Sequence, residues 1–354
     1  MKIASLVSGG VDSSLTIHIL KEQGFDPHIF YIKIGLEDDP AWVDCPSQED
    51  VEIVTFIAKK YGCKFDVISL QEEYWERVIA YTIESVKKGL TPNPDMMCNK
   101  MIKFGAFEEK YGKDFDAIST GHYATTLLLE NEKYLGTAKD SFKDQTYFLG
   151  QISRKQLSKL IFPIGNLLKP EVRELAAKTK LPSAFRKDSQ GICFLGKINY
   201  SDFIKRYVGE KDGKIIELES GKTLGTHHGF WFHTIGQRKG LGLSGGPWFV
   251  VKKDIDSNII WVSNGYDPQT QYSQQINLSH FSFINEMPDR DYSSKLPVKF
   301  KIRHQPEFNE GFLVTKDSLF IIDSNEPVSG VAPGQFGVVY TPDGKICLGS
   351  GVIS

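Results

Sequence analysis

The chain has no Cys-x-x-C pair and no Gly-x-x-x-x-Gly-Lys-Ser/Thr loop. The first absence argues against zinc ribbons and thioredoxin-type redox motifs, and the second against Walker-type kinases and motor ATPases. Its N-terminus, MKIASLVSGG, offers about six apolar residues before a Ser-Gly-Gly break, too few for a signal peptide or a membrane span. Cysteine is scarce: Cys45, Cys63, Cys98, Cys193 and Cys347 are odd in number and widely spaced, which reads as reduced thiols and a cytoplasmic location. A surplus of charge is also lacking, since the formal net charge is -2. That is not the charge of a polycation that binds nucleic acid indiscriminately. Any nucleic-acid contact must therefore be a local patch.

One such patch is legible. Residues 139–187 hold eleven Lys/Arg against four Asp/Glu, a basic stretch whose plain alternative is a solvated charged face. At 354 residues the chain suits two or three domains, and its composition is ordinary for a globular protein.

Short apolar runs at 2–7, 28–34, 63–70 and 114–119 read as buried strands. Helical patterns at 12–23, 48–61, 72–88 and 99–111 lie between them, with Ser47 and Asp50 as a capping box and Gly62 as a terminator. This alternation predicts an α/β domain with a doubly wound parallel sheet. Residues 150–182 read as an appended basic helical segment, with Pro170 at a helix start. From about residue 213 short strands and turns predict an all-β half, two small barrels. The divisions expected are 1–200 for the α/β domain with its helical segment, 201–275 for a central β domain and 276–354 for a C-terminal β-barrel.

The first strand runs into Ser8-Gly9-Gly10-Val11-Asp12-Ser13-Ser14 and then into a helix. Two glycines let the backbone approach an anion, and serine hydroxyls stand beside the unpaired amides of a helix N-terminus. The segment reads as a pyrophosphate cradle, against the alternative of a structural Gly turn. SGGVDSS resembles the PP-loop of ATP pyrophosphatases, which implies that Asp12 meets the phosphates through magnesium. A second glycine pattern, Gly240-Leu241-Gly242-Leu243-Ser244-Gly245, lacks the strand before it and the helix after it that dinucleotide binding needs.

Cys98 stands in TPNPDMMCNKMIKFGAF, where a Pro-rich turn meets a helix start. A helix N-terminus stabilises a thiolate, Lys100 and Lys103 would add to it, and the polar flank predicts an exposed thiol. Asp95, three residues earlier, suits a general acid or base. Cys193, in RKDSQGICFLG, reads by itself as a core cysteine, as do Cys45, Cys63 and Cys347. His227, His228 and His233 read as structural, and no metal centre is expected. Replacing a carbonyl oxygen by sulfur needs nucleotide activation and a sulfur nucleophile, which an adenylating loop and two reactive cysteines would supply.

SGGVDSS, NPDMMCNKMIKF, STGHYAT, KDQTYFL, KDSQGICFLG, HTIGQRKGLG and VAPGQFGVVY, in this order, resemble the signatures of the tRNA-specific 2-thiouridylases, the MnmA/TrmU family, along nearly the whole chain. The resemblance implies that ATP adenylates the C2 oxygen of the wobble uridine in lysine, glutamate and glutamine tRNAs and that sulfur displaces AMP. It implies that Cys193 holds a persulfide from a cysteine desulfurase or sulfur carrier. Cys98 would be the nucleophile that releases sulfur, the two forming a disulfide when oxidised. Leu6, Val7, Ser8, Gly9, Gly10, Val11, Asp12, Ser13, Ile32 and Gly121 would hold ATP. Asn93, Pro94 and Asp95 would meet the target base in the anticodon stem-loop. Lys143, Asp144, Gln145, Arg303 and His304 would touch tRNA, and His122 and Gln335 would tune its selection. The target base must leave its stack to be reached. Val7 and Ile32 stand where the family usually has methionine, and Thr125 where it has arginine.

Two other readings remain open on the sequence. One is a PP-loop ligase or amidotransferase acting on a small molecule, which would not need Cys98 and Cys193. The other is a tRNA-binding paralogue without catalysis.

Overall fold

The computed structural model describes residues 1–35, 47–187, 200–265, 272–285, 295–316 and 319–354. Five parallel strands form the first sheet: β1 (Ile3–Leu6), β2 (His28–Lys33), β3 (Phe65–Ser69), β4 (Ala117–Thr120) and β7 (Leu160–Ile161), in the order β3-β2-β1-β4-β7. Successive side chains of a strand face opposite ways, and β2 uses both faces. Ile29 and Tyr31 pack with helices Val11–Glu22, Ser47–Tyr61 and Lys169–Lys178, while Phe30 packs with the helical stretch 71–110. Helices on both faces explain why the central strands β1 and β4 are buried along their whole length. The expected doubly wound sheet is present, and Gly62 does follow the helix Ser47–Tyr61 with a φ of 64°.

The stretch read as wholly helical, 150–182, is broken. Helix Arg154–Lys159 is followed by β7, the edge strand, before helix Lys169–Lys178 begins with Pro170 in its first turn. Two residues are too few to show a strand period in sequence.

A hairpin of β5 (Thr125–Leu129) and β6 (Glu132–Gly136), also missed by the sequence reading, leaves the α/β domain and pairs with the last strand of the chain. Strands β8 (Gly213–Glu217), β9 (Thr223–His227), β10 (Trp248–Asp254) and β11 (Ile259–Asn264) form a four-stranded sheet in the order β10-β11-β8-β9. Gly240, Gly242 and Gly245 have positive φ in the turns before β10, so the second glycine pattern opens no helix.

The C-terminal strands are β12 (Tyr272–Phe283), β13 (Leu296–Lys301), β14 (Asn309–Lys316), β15 (Leu319–Ser329), β16 (Phe336–Tyr340) and β17 (Ile346–Ile353). They close into a six-stranded barrel through the pairing of β12 with β17. Of the two barrels expected, one is closed and the other is an open four-stranded sheet among the described residues. The barrel packs on the α/β domain: Phe336, Val338, Tyr340 and Cys347 share a core with Met96, Ile102, Leu135 and Tyr147.

Candidate active site

Strand order reverses between β1 and β4, and in an open α/β sheet that crossover is where a ligand sits, beyond the carboxyl ends of the strands. The loop after β1 and Gly121 after β4 meet there. A Cβ on Gly121 would lie 2.5 Å from Ser13 N, so only glycine permits this approach. Gly9 turns the chain with a φ of 79°. The loop closes on itself through Ser13 Oγ, which lies 3.1 Å from both Ser8 N and Ser8 Oγ. Helix Val11–Glu22 starts at Gly10 with no side-chain cap, which leaves its positive N-terminal end turned to the crossover. Leu6, Val7 and Val11 are buried beneath the loop and Ile32 is half-buried.

Lys169, Tyr123 and Arg186 complete this end of the site, and the sequence reading missed all three. Lys169 Nζ lies 2.7 and 2.8 Å from the two Asp12 carboxylate oxygens, and the Tyr123 hydroxyl donates to Asp12 Oδ1 at 3.0 Å. Arg186 donates to Gly9 O at 3.2 Å and to Asp50 Oδ1 at 2.6 Å. Asp50, read as part of a capping box with Ser47, whose side chain lies outside the described residues, anchors Arg186 at the loop, and burial is the main cause of its raised pKa. An uncapped helix end, two serine hydroxyls and an adjacent ammonium fit the phosphates of ATP. Asp12 is the carboxylate of the loop itself. No group of three or more His, Cys, Asp or Glu side chains suited to a metal occurs among the described residues.

Asn93 caps the next helix, accepting from Met96 N at 3.1 Å, with Pro94 at its start and Asp95 in its first turn; these are favoured roles for each residue. Cys98 follows one turn after Asp95 and opens a π-helical stretch, Cys98–Ala106. Such stretches recur at functional sites. Here the Gln156 amide donates to Lys100 O and Phe104 O.

The exposed thiol expected at Cys98 is not observed: Cys98 is 3% exposed, packed among Met97, Ile102 and Tyr147. The polar flank misled because Asn99 and Lys100 turn to Phe148 O and Gln151 Oε1. Burial lowers the Lys100 pKa. Cys193 lies outside the described residues, as does Cys45.

His122 follows Gly121 in sequence and lies beside the helical stretch that Cys98 opens. Its Nδ1 is 2.8 Å from Thr120 Oγ1, its ring is 6.2 Å from that of Phe104, and burial holds its pKa well below the ordinary 6.5, with Lys103 adding to the effect. Gln335 ties the barrel to the Asn93 turn: its amide nitrogen lies 3.3 Å from Thr91 O and from Pro92 O, and its oxygen accepts from the Tyr147 hydroxyl at 3.3 Å.

The residues expected to touch tRNA divide into two groups. Asp144 is 3% exposed; it accepts from Ala138 N and Thr146 and lies 3.9 Å from Lys301 Nζ, itself buried in the barrel wall. Gln145 bonds both ways with the Tyr123 backbone, and His304 Nε2 lies 2.9 Å from Asp144 O. These three hold the loop 139–146 in place with their own side chains or carbonyls. Lys143 is half-buried at its surface and Arg303 is exposed. Thr125, where the family has arginine, bonds Thr137 O across the β5–β6 hairpin at 2.9 Å. A cavity of about 610 Å³ lined by Thr126, Leu128, Lys133, Arg154 and Asn285 is separate, since none of its lining residues belongs to the loop or to the Asn93 turn.

Comparison with known proteins covers the chain end to end. Residues 1–197 match the family described as tRNA methyl transferase HUP domain, 201–264 its PRC-barrel domain, and 273–353 the aminomethyltransferase beta-barrel domain. A tRNA-specific 2-thiouridylase MnmA of Parabacteroides distasonis is 63% identical, with 100% of this chain and 99% of that protein covered. One of Bacteroides thetaiotaomicron is 59% identical with both covered in full. The U34-tRNA thiolase NcsA from Methanococcus maripaludis is a remote structural likeness: 15% identity, a TM-score of 0.35, 58% of this chain and 66% of that one. The family description speaks of methyl transfer, whereas the full-length relatives at these identities are named thiouridylases. Global identity of this order bears more directly on relationship than a domain label, and the chain belongs to the tRNA-specific 2-thiouridylase family.

Proposed function

We propose that this protein is a tRNA-uridine 2-sulfurtransferase that activates the C2 oxygen of a wobble uridine with ATP and replaces it with sulfur. The observation that supports this most is the meeting of the phosphate loop and Gly121 at the sheet crossover, with the neighbouring His122 beside Phe104 of the helical stretch that Cys98 opens, in a chain whose full-length relatives are named 2-thiouridylases. Leu6 to Ser13, Ile32 and Gly121 would hold ATP, and Lys169 would neutralise its phosphates while Asp12 meets magnesium. Asn93, Pro94 and Asp95 would receive the extruded base, with Asp95 as the acid or base. Cys193 would carry the persulfide delivered by a cysteine desulfurase or sulfur-carrier protein. Its outer sulfur would attack C2 and AMP would leave with the former oxygen. The Cys98 thiolate would then attack Cys193 Sγ, breaking its bond to the sulfur that stays on C2 and leaving a Cys98–Cys193 disulfide, which a thiol reductant reopens. The tRNAs proposed are those for lysine, glutamate and glutamine, bound through Lys143, Arg303 and the loop that Asp144, Gln145 and His304 support, with His122 and Gln335 setting selectivity. The compartment proposed is the cytoplasm, on the reading of the scarce cysteines as reduced thiols.

The test incubates the protein with unmodified lysine tRNA, ATP, magnesium, cysteine and a cysteine desulfurase, then measures 2-thiouridine by mass spectrometry. Product from the wild type and from neither Cys98→Ser nor Cys193→Ser is expected. Product from both variants would refute the cysteine roles, and a wild type that binds tRNA without making pyrophosphate or thiouridine would indicate a non-catalytic binder.

A further inference from the structure

The two most exposed large apolar side chains among the described residues are both phenylalanines, Phe185 at 87% and Phe142 at 75%. Neither sits on a slack segment. Arg173 Nη1 donates at 3.0 Å to Ala184 O and to Arg186 O, clamping the backbone on both sides of Phe185. Arg186 N closes the turn on Ser183 O, and its guanidinium is pinned to Gly9 O of the phosphate loop. The backbone at Phe142 is fixed by Asp140, whose Oδ1 accepts from the amides of Phe142 and Lys143 and whose Oδ2 accepts from Lys169 N at 2.9 Å. Lys169 and Arg173 are four residues apart in one helix, so they share a face. This helix holds both aromatic turns, one through the Lys169 amide and one through the Arg173 side chain, and Lys169 Nζ holds Asp12 at the phosphate loop as well.

A phenyl ring left in water gains no burial energy for the fold, and a rigid turn that keeps it there gives it to a partner. The partner's chemistry follows from the surroundings. Lys139 and Lys143 flank Phe142, and Arg186 and Lys187 follow Phe185; Lys139 pairs with Glu171 and Arg186 with Asp50 and Glu49, while the acids of the turns themselves, Asp140 and Asp144, are buried in internal bonds. A flat apolar ring between cations suits an unpaired nucleotide, whose base stacks on the ring while its phosphate meets the cation.

We propose that Phe142 and Phe185 are stacking platforms for unpaired nucleotides of the RNA substrate, on the two flanks of the phosphate loop. This rests on the tRNA-modifying reading above.

The test measures RNA binding and turnover by the full chain with an unmodified anticodon stem-loop, using a duplex without the loop as control. Phe142→Ala and Phe185→Ala are each expected to raise the KM and Kd for the stem-loop about tenfold, with kcat and the affinity for ATP within about twofold. Phe142→Trp and Phe185→Trp should bind like the wild type, and the indole signal each adds should be quenched by the stem-loop and not by the duplex. Alanine variants with wild-type RNA affinity, an indole signal unmoved by bound RNA, or a loss that tryptophan does not restore would each overturn the stacking role. A defect seen only with a protein sulfur donor would overturn it in favour of a protein-docking surface. A wild type that neither binds nor thiolates the stem-loop would refute the underlying reading, whereas normal thiolation with silent alanine variants would refute the stacking alone.

Discussion

Lys169 shows how a single side chain completes a site that its own neighbourhood in the sequence does not announce. It is 8% exposed, its ammonium bridges both oxygens of Asp12, and 157 residues separate the two. Charge-assisted bonds of this kind contribute about 1.5–3 kcal/mol each. Lys169→Met is therefore expected to weaken inorganic pyrophosphate binding by about tenfold or more in titration calorimetry, with Lys169→Arg intermediate. Unchanged affinity would remove Lys169 from the phosphate site. Gly121 makes the opposite demand, for space: Gly121→Ala places a methyl against the backbone of Ser13. It should cost about 1–3 kcal/mol of stability, seen as a lower thermal midpoint, and abolish the gain in midpoint that ATP gives the wild type. The phosphate loop itself was readable because strand, glycines and helix are contiguous, whereas Lys169 in LKPEVRELAAK looked like one more charge on a basic helix. Cys98 was misjudged for the same reason, since the carbonyl and amide that receive Asn99 and Lys100 come from residues 148 and 151.

At the scale of elements, the turn 91–95 is held from the barrel as well as from its own helix. Gln335 reaches Thr91 O and Pro92 O, and Thr91 N donates to Pro333 O at 2.8 Å. Each neutral bond contributes about 0.5–1.5 kcal/mol. Gln335→Ala should speed hydrogen exchange of the amides at 91–97 while leaving exchange in β1 unchanged; uniform protection would show that the barrel does not order this turn. Four of the five strands of the first sheet were legible from apolar runs, β7 being the exception, and the intervening helices from caps and periodicity. The β5–β6 hairpin was not legible as part of the barrel, because its pairing partner β17 lies some two hundred residues later.

At the scale of the whole molecule, the α/β domain and barrel are joined by buried polar groups as well as by their shared core. Asp144 and Lys301, both nearly inaccessible, lie 3.9 Å apart across the junction. Removing one member of such a pair leaves the other charge buried, at a cost of about 3–5 kcal/mol. Asp144→Ala should therefore lower the unfolding midpoint substantially and Asp144→Asn less, as measured by denaturant titration. Equal, small effects would show that the pair is not needed at the junction. Acid should also weaken the molecule. Burial, aided by His227 and Lys253, lowers the His233 pKa from 6.5 to about 4. Between those values the unfolded chain takes up a proton that the folded one refuses, so stability is full above pH 6.5 and falls toward pH 4, by at most about 1.4 kcal/mol per pH unit. His233→Gln should flatten that slope; an unchanged slope would mean that His233 does not stay neutral in the folded protein.

The sequence by itself determined the parallel α/β domain, the phosphate loop, the succession of β-rich segments and the family, because each depends on residues adjacent in the chain or on ordered short motifs. Tertiary structure alone decided that Cys98 is buried, that Asp144 and Gln145 turn inward, that Lys169 meets Asp12 and that the barrel holds the Asn93 turn. Those facts depend on which distant segment supplies the neighbouring atom, and local periodicity and capping carry no record of that choice.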